Sequence, residues 1–306
     1  MNTKSDVIVI FAPTASGKTA LTRELFCAGG SHFILNAEII SADSQSVYKY
    51  MDIGTAKPQK DLTSVLPHHL VDILTPDQQF NVSDFVDLAD EACSKIIQKN
   101  KTPVICGGTG FYIKNFLFGV PPTPVSDEAL RNELKQRIIK EGNQKLHEEL
   151  SKVDPQSAKK IHVNDSYRIC RALEVYYLSG KTRTSFNVEP ELRPNYNFKF
   201  IVLKPPRELL YQRIKQRVDE MFDQGLEKEV QDLLKMGYTK DSPGLKAIGY
   251  SEWFNYEDKE TIRYEIKHHS CKYAKKQYTY IKDIPLSHVI EYRGMEDIQK
   301  VIDVIK

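Results

Sequence analysis

Several features that define particular protein classes are missing from this chain of 306 residues. It has no run of about 18 apolar residues, so we expect no membrane-spanning helix. The five cysteines are scattered and include no C-x-x-C pair, which argues against a disulfide framework or a structural zinc site. With only 15 glycines and 15 prolines, the chain is neither collagen-like nor disordered. A net charge of +2 is too small to indicate a nucleic-acid partner by itself.

The composition that remains is that of a folded protein. Hydrophobic residues make up 41% of the chain and charged residues 27%, and the length suffices for one large domain or two smaller ones. Residues 1–6 are polar and precede no signal-peptide core. We therefore expect a cytoplasmic protein with reduced thiols and no membrane partner. We also expect it to act as a monomer.

Strand and helix patterns alternate in the first part of the chain. Apolar side chains recur at helical spacing from Phe85 to Ile96, behind Ser83 as a predicted cap. Strands alternating with helices imply right-handed crossovers and a mostly parallel sheet covered on both faces. Short apolar segments predict the strands of this sheet at residues 7–11, 38–42, 69–74 and 103–106.

The pattern changes after the proline-rich residues 121–124, which no helix or central strand could cross. Residues 127–179 show helical spacing with almost no strand signal, and residues 198–203 again resemble a strand. Helical patterns dominate from there to the end. We therefore predict an α/β phosphate-loop fold of three layers with a parallel sheet. Its core comprises residues 1–124 and 188–306, and a helical insertion domain comprises residues 125–187.

The strongest local motif directly follows the first predicted strand and consists of Ala12, Pro13, Thr14, Ala15, Ser16, Gly17, Lys18 and Thr19. Backbone amides at the start of the next helix would hold a diphosphate or triphosphate. Lys18 would add a positive charge and Thr19 a Mg²⁺ ligand. The pattern G-x-x-x-x-G-K-[ST] begins with glycine, whereas this chain has Ala12. If that position needs a positive φ, alanine would be strained by about 1 kcal/mol.

Phosphate binding alone does not identify the reaction, and an ordinary strand-to-helix turn remains the alternative. An NTP hydrolase would normally show a second strand ending in an acidic residue that holds Mg²⁺. Asp43 and Asp72 are the candidates, and neither is followed by Glu. Asp43 lies at the expected carboxyl end of a strand, where open α/β sheets bind their ligands. We interpret Asp72 as a turn residue.

Three further segments follow the phosphate loop in order: residues 41–58, which include Asp43 and end in MDIGTAKP, the Gly-Gly-Thr-Gly turn at 107–110, and residues 168–182. Together with the loop they resemble the bacterial tRNA dimethylallyltransferases, also called isopentenyltransferases. The resemblance extends in collinear order from the first strand to about Ile281. The run at residues 51–58 is its most specific part, because phosphate loops occur in many enzymes.

The resemblance implies a phosphate-loop fold that is used without NTP hydrolysis. Such enzymes transfer a dimethylallyl group from dimethylallyl diphosphate to the exocyclic amine of the adenosine 3′ of the anticodon, in tRNAs reading codons that start with U. It assigns the general base to Asp43 and diphosphate stabilisation to Lys18, to the loop amides and to Mg²⁺ on Thr19. Lys114 would add a further positive charge to the diphosphate site.

The tRNA anticodon stem-loop would contact a larger set of residues by the same resemblance: Asp43, Ser44, Gln45, Ser46, Thr109, Arg131, Tyr167, Arg168, Ile169, Cys170, Arg171 and Lys246. Two positions depart from the family, whose members commonly carry Gln at position 46 and Arg at position 246. Basic residues outnumber acidic ones in residues 159–183 and 263–282. Such stretches fit an RNA backbone, and a solvated helix face is the alternative.

Two other functions are compatible with parts of the sequence. A small-molecule or nucleotide kinase shares the phosphate loop, and Arg207, Arg213 and Arg217 after the strand at 198–203 resemble phosphate-clamping arginines. Against a kinase, residues 51–58 and the turn at 107–110 have no recognisable kinase role. An RNA-binding protein that has lost catalysis is the third hypothesis, and it predicts tRNA binding without turnover.

Overall fold

In the computed structural model, which describes residues 4–186, 191–282, 284 and 287–306, the first apolar segment forms a central strand. This strand, β1 (Ser5–Phe11), is fully buried from Val7 to Phe11. Burial on both faces explains why its sequence is a continuous apolar run rather than an alternating one. It pairs in parallel with one strand on each side.

The sheet has six strands in the order β3-β2-β4-β1-β5-β6, and every pair is parallel. The remaining strands are β2 (Ala37–Ser41), β3 (His68–His69), β4 (Thr102–Gly107), β5 (Tyr196–Lys204) and β6 (Ser287–Glu291). Phe11 is in register with Gly107 and Val202, and Ser41 with Cys106. The carboxyl ends of four strands therefore meet at one edge, and the predicted α/β fold with a parallel sheet is confirmed.

Two strands differ from the sequence-based prediction. The segment predicted as a strand at 69–74 forms only the two-residue β3, because Leu70 and Asp72 adopt left-handed conformations with φ of 62° and 55°. Such residues cannot continue a strand. Strand β6 lies in a region predicted to be helical. It is a short edge strand with mostly exposed side chains, so its sequence lacks the apolar run of a buried strand.

The helices of this part of the chain are α1 (Lys18–Phe26), α2 (Lys60–Val65), α3 (Val82–Gln98), α4 (Gly110–Phe118), α9 (Arg207–Asp223), α10 (Leu226–Lys235), α11 (Lys259–Ile281) and α12 (Ile298–Ile305). Helix α3 begins with a capping box formed by Asn81 and Asp84, so the prediction of Ser83 as its cap is wrong. Short 3₁₀ turns occur at Gly244–Lys246, Ser251–Phe254 and Met295–Asp297.

The chain divides into two compact units. Unit 1 comprises Met1–Gly119 and Leu192–Lys306, and unit 2 comprises Val120–Glu191. Unit 2 therefore begins five residues before, and ends four residues after, the predicted insertion at 125–187. The second predicted boundary, at residues 187 and 188, lies outside the described residues.

Unit 2 contains helices α5 (Glu128–Glu141), α6 (Asn143–Val153), α7 (Pro155–Lys160) and α8 (Ser166–Ser179), followed by a 3₁₀ turn at Arg183–Phe186. Its core is formed by apolar side chains that include Leu134, Leu146, Leu150, Ile169 and Leu173. The predicted helical character of this segment is confirmed. In neither unit do the described residues form a helix long and apolar enough to cross a membrane.

Candidate active site

The phosphate loop connects β1 to α1 at the carboxyl edge of the sheet. Ala12 is fully buried and its N–H donates to the Gly107 carbonyl at 3.1 Å. The left-handed residues of the loop are Ala15, with φ 58°, and Gly17, with φ 91°. Ala12 does not have a positive φ, so the condition under which alanine would be strained there is not met. The backbone strain lies instead at Ala15, in the middle of the loop.

Lys18 and two hydroxyl side chains complete the loop. The Lys18 ammonium donates to the carbonyls of Ala12 and Pro13 at 3.0 and 2.8 Å, and burial lowers its pKa. The Ser16 hydroxyl is buried and has no hydrogen-bond partner among the described residues. Ser16 and Thr19 both line the cavity beside the loop. A ligand with oxygen acceptors at this point would satisfy the buried Ser16 hydroxyl.

Asp43 lies two residues beyond the end of β2, in a tightly hydrogen-bonded turn. Its Oδ1 accepts the Gln45 N–H at 2.9 Å. The Ser46 hydroxyl donates to the Asp43 carbonyl at 3.2 Å and lies 2.8 Å from the Ser41 hydroxyl. Ser46 is therefore used inside the turn. The neighbouring Gln45 lines the cavity, and its Oε1 is buried without a partner in the described part of the chain.

The Gly-Gly-Thr turn joins the ends of β2 and β4. A Cβ at Gly107 would lie 2.2 Å from the Ala42 carbonyl oxygen, so the close approach of the two backbones requires glycine. The Thr109 hydroxyl accepts the Ser44 N–H at 3.0 Å. Ser44 and Thr109 are thereby fixed beside Asp43.

Gln277 of α11 links this turn to the phosphate loop. Its Nε2 donates to the Gly108 carbonyl at 2.7 Å, and its Oε1 accepts the Thr14 N–H at 3.3 Å. A Cβ at Gly108 would lie 2.3 Å from that Nε2 atom. Sequence reasoning missed Gln277, because it is 263 residues from Thr14 and no local motif surrounds it.

The MDIGTAKP segment is held by an acidic clamp formed by the half-buried Glu229. The Glu229 carboxylate accepts the backbone N–H groups of Asp52 and Ile53 at 2.8 Å and of Gly54 at 3.1 Å. The Tyr250 hydroxyl also donates to Glu229, at 2.7 Å. Residues 54–58 of this segment line the cavity. The clamp therefore shapes one wall of the site, and the sequence contained no signal for Glu229.

Lys57, at the end of the same segment, is not a free cation. Its ammonium bonds Asp52 at 2.7 Å, Asp72 at 2.5 Å and the carbonyl of Tyr48, and its side chain is 5% exposed. Asp72 is thus a turn residue that pairs with Lys57. Among the described residues, no group of three or more His, Cys, Asp and Glu side chains could hold a metal ion.

These elements enclose a cavity of about 750 Å³ within unit 1. Its charged lining comprises the cations Lys18, Lys57, Arg213, Arg217 and Lys246 and the acids Asp43 and Glu220. Lys57 is neutralised by Asp52 and Asp72. The remaining positive charge includes Lys18 of the phosphate loop and Arg217, which donates to the loop. Such a lining suits a ligand with several negative charges.

Arg217 of α9 reaches the phosphate loop. One of its guanidinium nitrogens donates to the Thr14 hydroxyl at 3.2 Å. Burial lowers the pKa of Arg217, and the nearby Asp43 carboxylate opposes this effect. Arg213 lines the same cavity one helical turn earlier. These two arginines were predicted only for the kinase alternative, and the structure places them in the site regardless of the reaction.

Three residues predicted for the diphosphate site do not line the cavity. Ala12 and Pro13 contribute only their carbonyls, which hold Lys18. Lys114 is exposed on α4 and is absent from the cavity lining. In contrast, Lys246 does line the cavity. The structure therefore brings most of the predicted unit 1 residues together and leaves Lys114 apart.

The predicted RNA-binding residues of unit 2 have different surroundings. Arg131 and Arg171 pair with the buried Glu174 at 3.3 and 2.8 Å. Ile169 and Cys170 belong to the core of the unit. The exposed members of the predicted set are Tyr167, which is 71% exposed, and Arg168. Arg168 also pairs with Asp165, at 3.2 Å. Helix α8 therefore offers Tyr167 and Arg168 to solvent, whereas Ile169, Cys170, Arg131 and Arg171 stabilise unit 2.

Comparison with known proteins identifies relatives over most of the chain. The sequence model of the family described as IPP transferase matches residues 46–284. The tRNA dimethylallyltransferase of Finegoldia magna is 42% identical over 303 residues, which cover 96% of this chain and 94% of the relative. The protein of the same name from Acetivibrio thermocellus is 38% identical and covers 98% of this chain and 96% of the relative.

Solved structures with the same fold include two transferases. The tRNA isopentenylpyrophosphate transferase of Bacillus halodurans has a TM-score of 0.70 and 34% identity, and the match covers 99% of this chain and 96% of that one. A eukaryotic dimethylallyltransferase acting on tRNA has a TM-score of 0.81 and 26% identity, with coverage of 97% and 78%.

Proposed function

Because the chain belongs to the IPP transferase family, we propose that it transfers the dimethylallyl group of dimethylallyl diphosphate to the exocyclic amine of an adenosine in tRNA. The target we propose is the adenosine 3′ of the anticodon, in tRNAs that read codons starting with U. The family favours this reaction over phosphorylation by a kinase. The main support for the proposal is that the phosphate loop and Asp43 line the same cavity.

The diphosphate of the donor would bind the cationic end of the cavity. The backbone amides of the phosphate loop, Lys18 and Arg217 supply donors and positive charge there. Negative charge develops on the diphosphate as the C–O bond breaks, so fixed positive groups at this position lower the barrier. Arg213 would add to the same stabilisation.

Magnesium fits this end of the cavity by the chemistry of its donors. Mg²⁺ prefers oxygen ligands and usually binds one or two protein groups together with substrate phosphates. The Thr19 hydroxyl lines the cavity next to the loop and would hold the ion, which when bound neutralises charge on the diphosphate. Thr19 and Lys18 would thus act on the same leaving group from neighbouring positions in the chain.

Asp43 would act as the general base. The adenosine amine attacks the allylic carbon, a C–N bond forms, and the electron pair of the broken C–O bond leaves with diphosphate. The amine proton would pass to the Asp43 carboxylate, whose orientation is fixed by the Gln45 N–H. A base of this kind typically contributes about 10² to 10⁴ in rate. Diphosphate leaves without a proton, so no second acid is needed.

The acceptor adenosine must leave its stack to reach Asp43, at a cost of a few kcal/mol. Ser44 and Thr109, which are hydrogen bonded to each other beside Asp43, and the cavity-lining Gln45 offer polar groups to the flipped base. Because Gln45 presents a buried amide oxygen without a partner among the described residues, it could accept a hydrogen bond from an amino group of the base.

The experiment that tests this function offers the purified protein Mg²⁺, dimethylallyl diphosphate labelled in its allyl group, and an unmodified tRNA. Label in the tRNA that maps to the adenosine 3′ of the anticodon would support the proposal. Parallel samples with ATP labelled in its γ-phosphate and a panel of nucleosides test the kinase alternative. Phosphorylation without tRNA labelling would overturn the proposal, as would tRNA binding without any transfer.

A further inference from the structure

A short segment between β6 and α12, residues 292–297, contacts two parts of the diphosphate end of the cavity. One contact is with the phosphate loop and the other with Arg213 of α9. The structure describes all six residues, and none of them lines the cavity itself. We call this segment the 292–297 turn.

The first contact is made by the ring of Tyr292, which is 1% exposed. A Cβ at Gly17 would lie 3.5 Å from Cε1 of Tyr292, so the ring packs directly against the glycine that precedes α1. The Tyr292 hydroxyl is 3.6 Å from the Met295 sulfur and does not take part in this contact. The ring therefore supports the phosphate loop without entering the cavity.

The second contact orients Arg213. One of its guanidinium nitrogens donates to the Arg293 carbonyl, and a Cβ at Gly294 would lie 3.8 Å from the same nitrogen. In the described part of the chain, Arg213 has no carboxylate oxygen within 4.0 Å. A carbonyl holds a guanidinium without cancelling its charge, and the other N–H donors of the group stay available. Arg213 can therefore offer both charge and donors to an anion in the cavity that it lines.

Asp297 fixes the backbone on both sides of the Arg293 carbonyl. Its Oδ2 accepts the Arg293 N–H at 2.7 Å, and its own N–H donates to the Gly294 carbonyl at 3.1 Å. Asp297 is 7% exposed and also accepts a hydrogen bond from Lys300 at 2.6 Å. The direction of the Arg293 carbonyl, and with it the position of Arg213, thus depends on Asp297.

We propose that the 292–297 turn positions the groups that bind the diphosphate of the donor. Tyr292 supports the phosphate loop at Gly17, and Asp297 aims Arg213 into the cavity through the Arg293 carbonyl. Tyr292 and Asp297 are positioning residues, because neither touches the ligand. This inference rests on the proposed function, which assigns the diphosphate group to this end of the cavity.

The test measures the Kd of inorganic diphosphate in the presence of Mg²⁺ by calorimetry. Arg213→Met removes a hydrogen-bonding charge and should weaken binding by about 10-fold to 100-fold. Asp297→Ala should cause part of this loss, about 3-fold or more. Asp297→Asn keeps an oxygen acceptor for the Arg293 N–H and should bind diphosphate like the wild type. Lys300→Ala is the matched control, because it removes only the other partner of Asp297.

A double-mutant cycle separates positioning from a general loss of structure. If Asp297 acts through Arg213, Asp297→Ala should change the Kd by less than about 2-fold once Arg213 is methionine. A merely structural effect would weaken binding by the same factor in both backgrounds. The KM for tRNA should stay unchanged in every variant. Asp297→Ser, which keeps a preferred N-cap residue before α12, replaces Asp297→Ala in the cycle if the alanine variant does not fold.

Tyr292 is tested by a pair of substitutions. Tyr292→Leu removes the ring that packs on Gly17 and should weaken diphosphate binding by about 3-fold or more, because the loop amides form charge-assisted hydrogen bonds with the ligand. Tyr292→Phe keeps the ring and should bind diphosphate like the wild type. The effect of Tyr292→Leu should persist in the Arg213→Met background, since it acts through the loop.

Two results would overturn the inference. One is wild-type affinity for diphosphate in Asp297→Ala and Tyr292→Leu while both remain folded by circular dichroism. The other is an equal effect of Asp297→Ala with and without Arg213. Diphosphate binding requires neither RNA nor transfer, so the proposed function is judged separately. If the wild type transfers label and the variants bind diphosphate normally, only the role of the turn is wrong. If the wild type transfers no label but the cycle shows coupling, the proposed function fails and the positioning role stands.

Discussion

Asp43 offers a sharp test at the scale of a single residue, because its two roles can be separated. Asp43→Asn keeps an Oδ1 acceptor for the Gln45 N–H but removes the charge of the proposed base. We expect the single-turnover rate of transfer to fall by about 10² to 10⁴. The melting temperature and the Kd for RNA should stay near those of the wild type. A near-normal rate in the folded variant would show that another group takes the proton.

Ala15 and Ala12 form a matched pair within the phosphate loop. Ala15 has a left-handed φ of 58° and Ala12 does not. Because a left-handed alanine costs about 1–2 kcal/mol, Ala15→Gly should raise the free energy of unfolding, by up to about 1 kcal/mol. Ala12→Gly should lower it, since the fully buried methyl group is lost. Thermal unfolding of both variants measures whether each change raises or lowers the free energy of unfolding. A stabilising Ala12→Gly would place the strain at Ala12 after all.

At the scale of secondary-structure elements, Glu229 fixes a whole segment. Its carboxylate accepts three consecutive backbone N–H groups of the segment that lines the cavity. Glu229→Gln replaces one acceptor oxygen with an NH₂ group, which would face the backbone N–H donors of the segment. Hydrogen bonds to a charged group contribute about 1.5–3 kcal/mol, so we expect a loss of stability of that order. The KM for dimethylallyl diphosphate should also rise as residues 54–58 move.

Tyr250→Phe is the matched control for this clamp. It removes one hydrogen bond to Glu229 and keeps the ring that packs against Gly54. We expect a smaller effect, of about 1 kcal/mol. If both variants lost equal stability and neither altered KM, the clamp would not shape the cavity.

Strand β2 carries a pH-dependent contribution to stability. Glu38 is 1% exposed; burial opposes its ionisation, but hydrogen bonds from Lys101, His69 and Lys99 outweigh this and lower its pKa from 4.5 to about 2. A lowered carboxyl pKa stabilises the fold above the unfolded-state value, and this stabilisation is lost as the pH falls through the folded-state value. The contribution of Glu38 should therefore be complete above about pH 5 and disappear between pH 4.5 and 2.

Comparison with Glu38→Gln isolates this effect. At pH 7 the variant should be less stable than the wild type by about 2–3 kcal/mol. The difference should shrink steadily as chemical denaturation is repeated at lower pH. A difference independent of pH would mean that Glu38 contributes packing rather than charge.

The elements also show how far the sequence was informative. Buried strands such as β1 and β5 were predictable, because burial on both faces demands continuous apolar runs. The edge strand β6 was not, since it leaves no apolar run. The left-handed Leu70 and Asp72 were not either, since the apolar pattern of residues 69–74 does not reveal their positive φ. In the site, the phosphate loop and Asp43 follow strands directly, whereas Glu229 and Gln277 reach it from helices distant in sequence. Local patterns could not reveal those two residues.

At the scale of the whole molecule, the cavity belongs entirely to unit 1. The chain leaves unit 1 after Gly119 and returns to it at Leu192. These two points are close together, because the Arg193 N–H donates to the Leu117 carbonyl at 2.9 Å. A chain in which a short Gly-Ser linker joins residue 119 to residue 192 should therefore fold cooperatively. It should bind inorganic diphosphate like the intact protein, and it should bind RNA more weakly, because the exposed Tyr167 and Arg168 are missing.

Calorimetric titration with diphosphate and anisotropy with the anticodon stem-loop measure both properties of this shortened chain. In the opposite control, Lys18, Arg213 and Arg217 are replaced and unit 2 is left intact. This variant should lose diphosphate binding. A shortened chain that folds but no longer binds diphosphate would contradict the assignment of the cavity to unit 1.

The position of β1 between β4 and β5 also affects how the protein is made. On the ribosome, β1 can pair with β4 once Gly107 has emerged, but its other edge stays open until β5 is complete at Lys204. Synthesis of the roughly 100 residues between them takes about 5–20 s at 5–20 residues per second. During that interval the nascent chain presents an apolar, unpaired strand edge of the kind that promotes aggregation. The nascent chain is thus most in need of chaperone protection while its second unit is being translated.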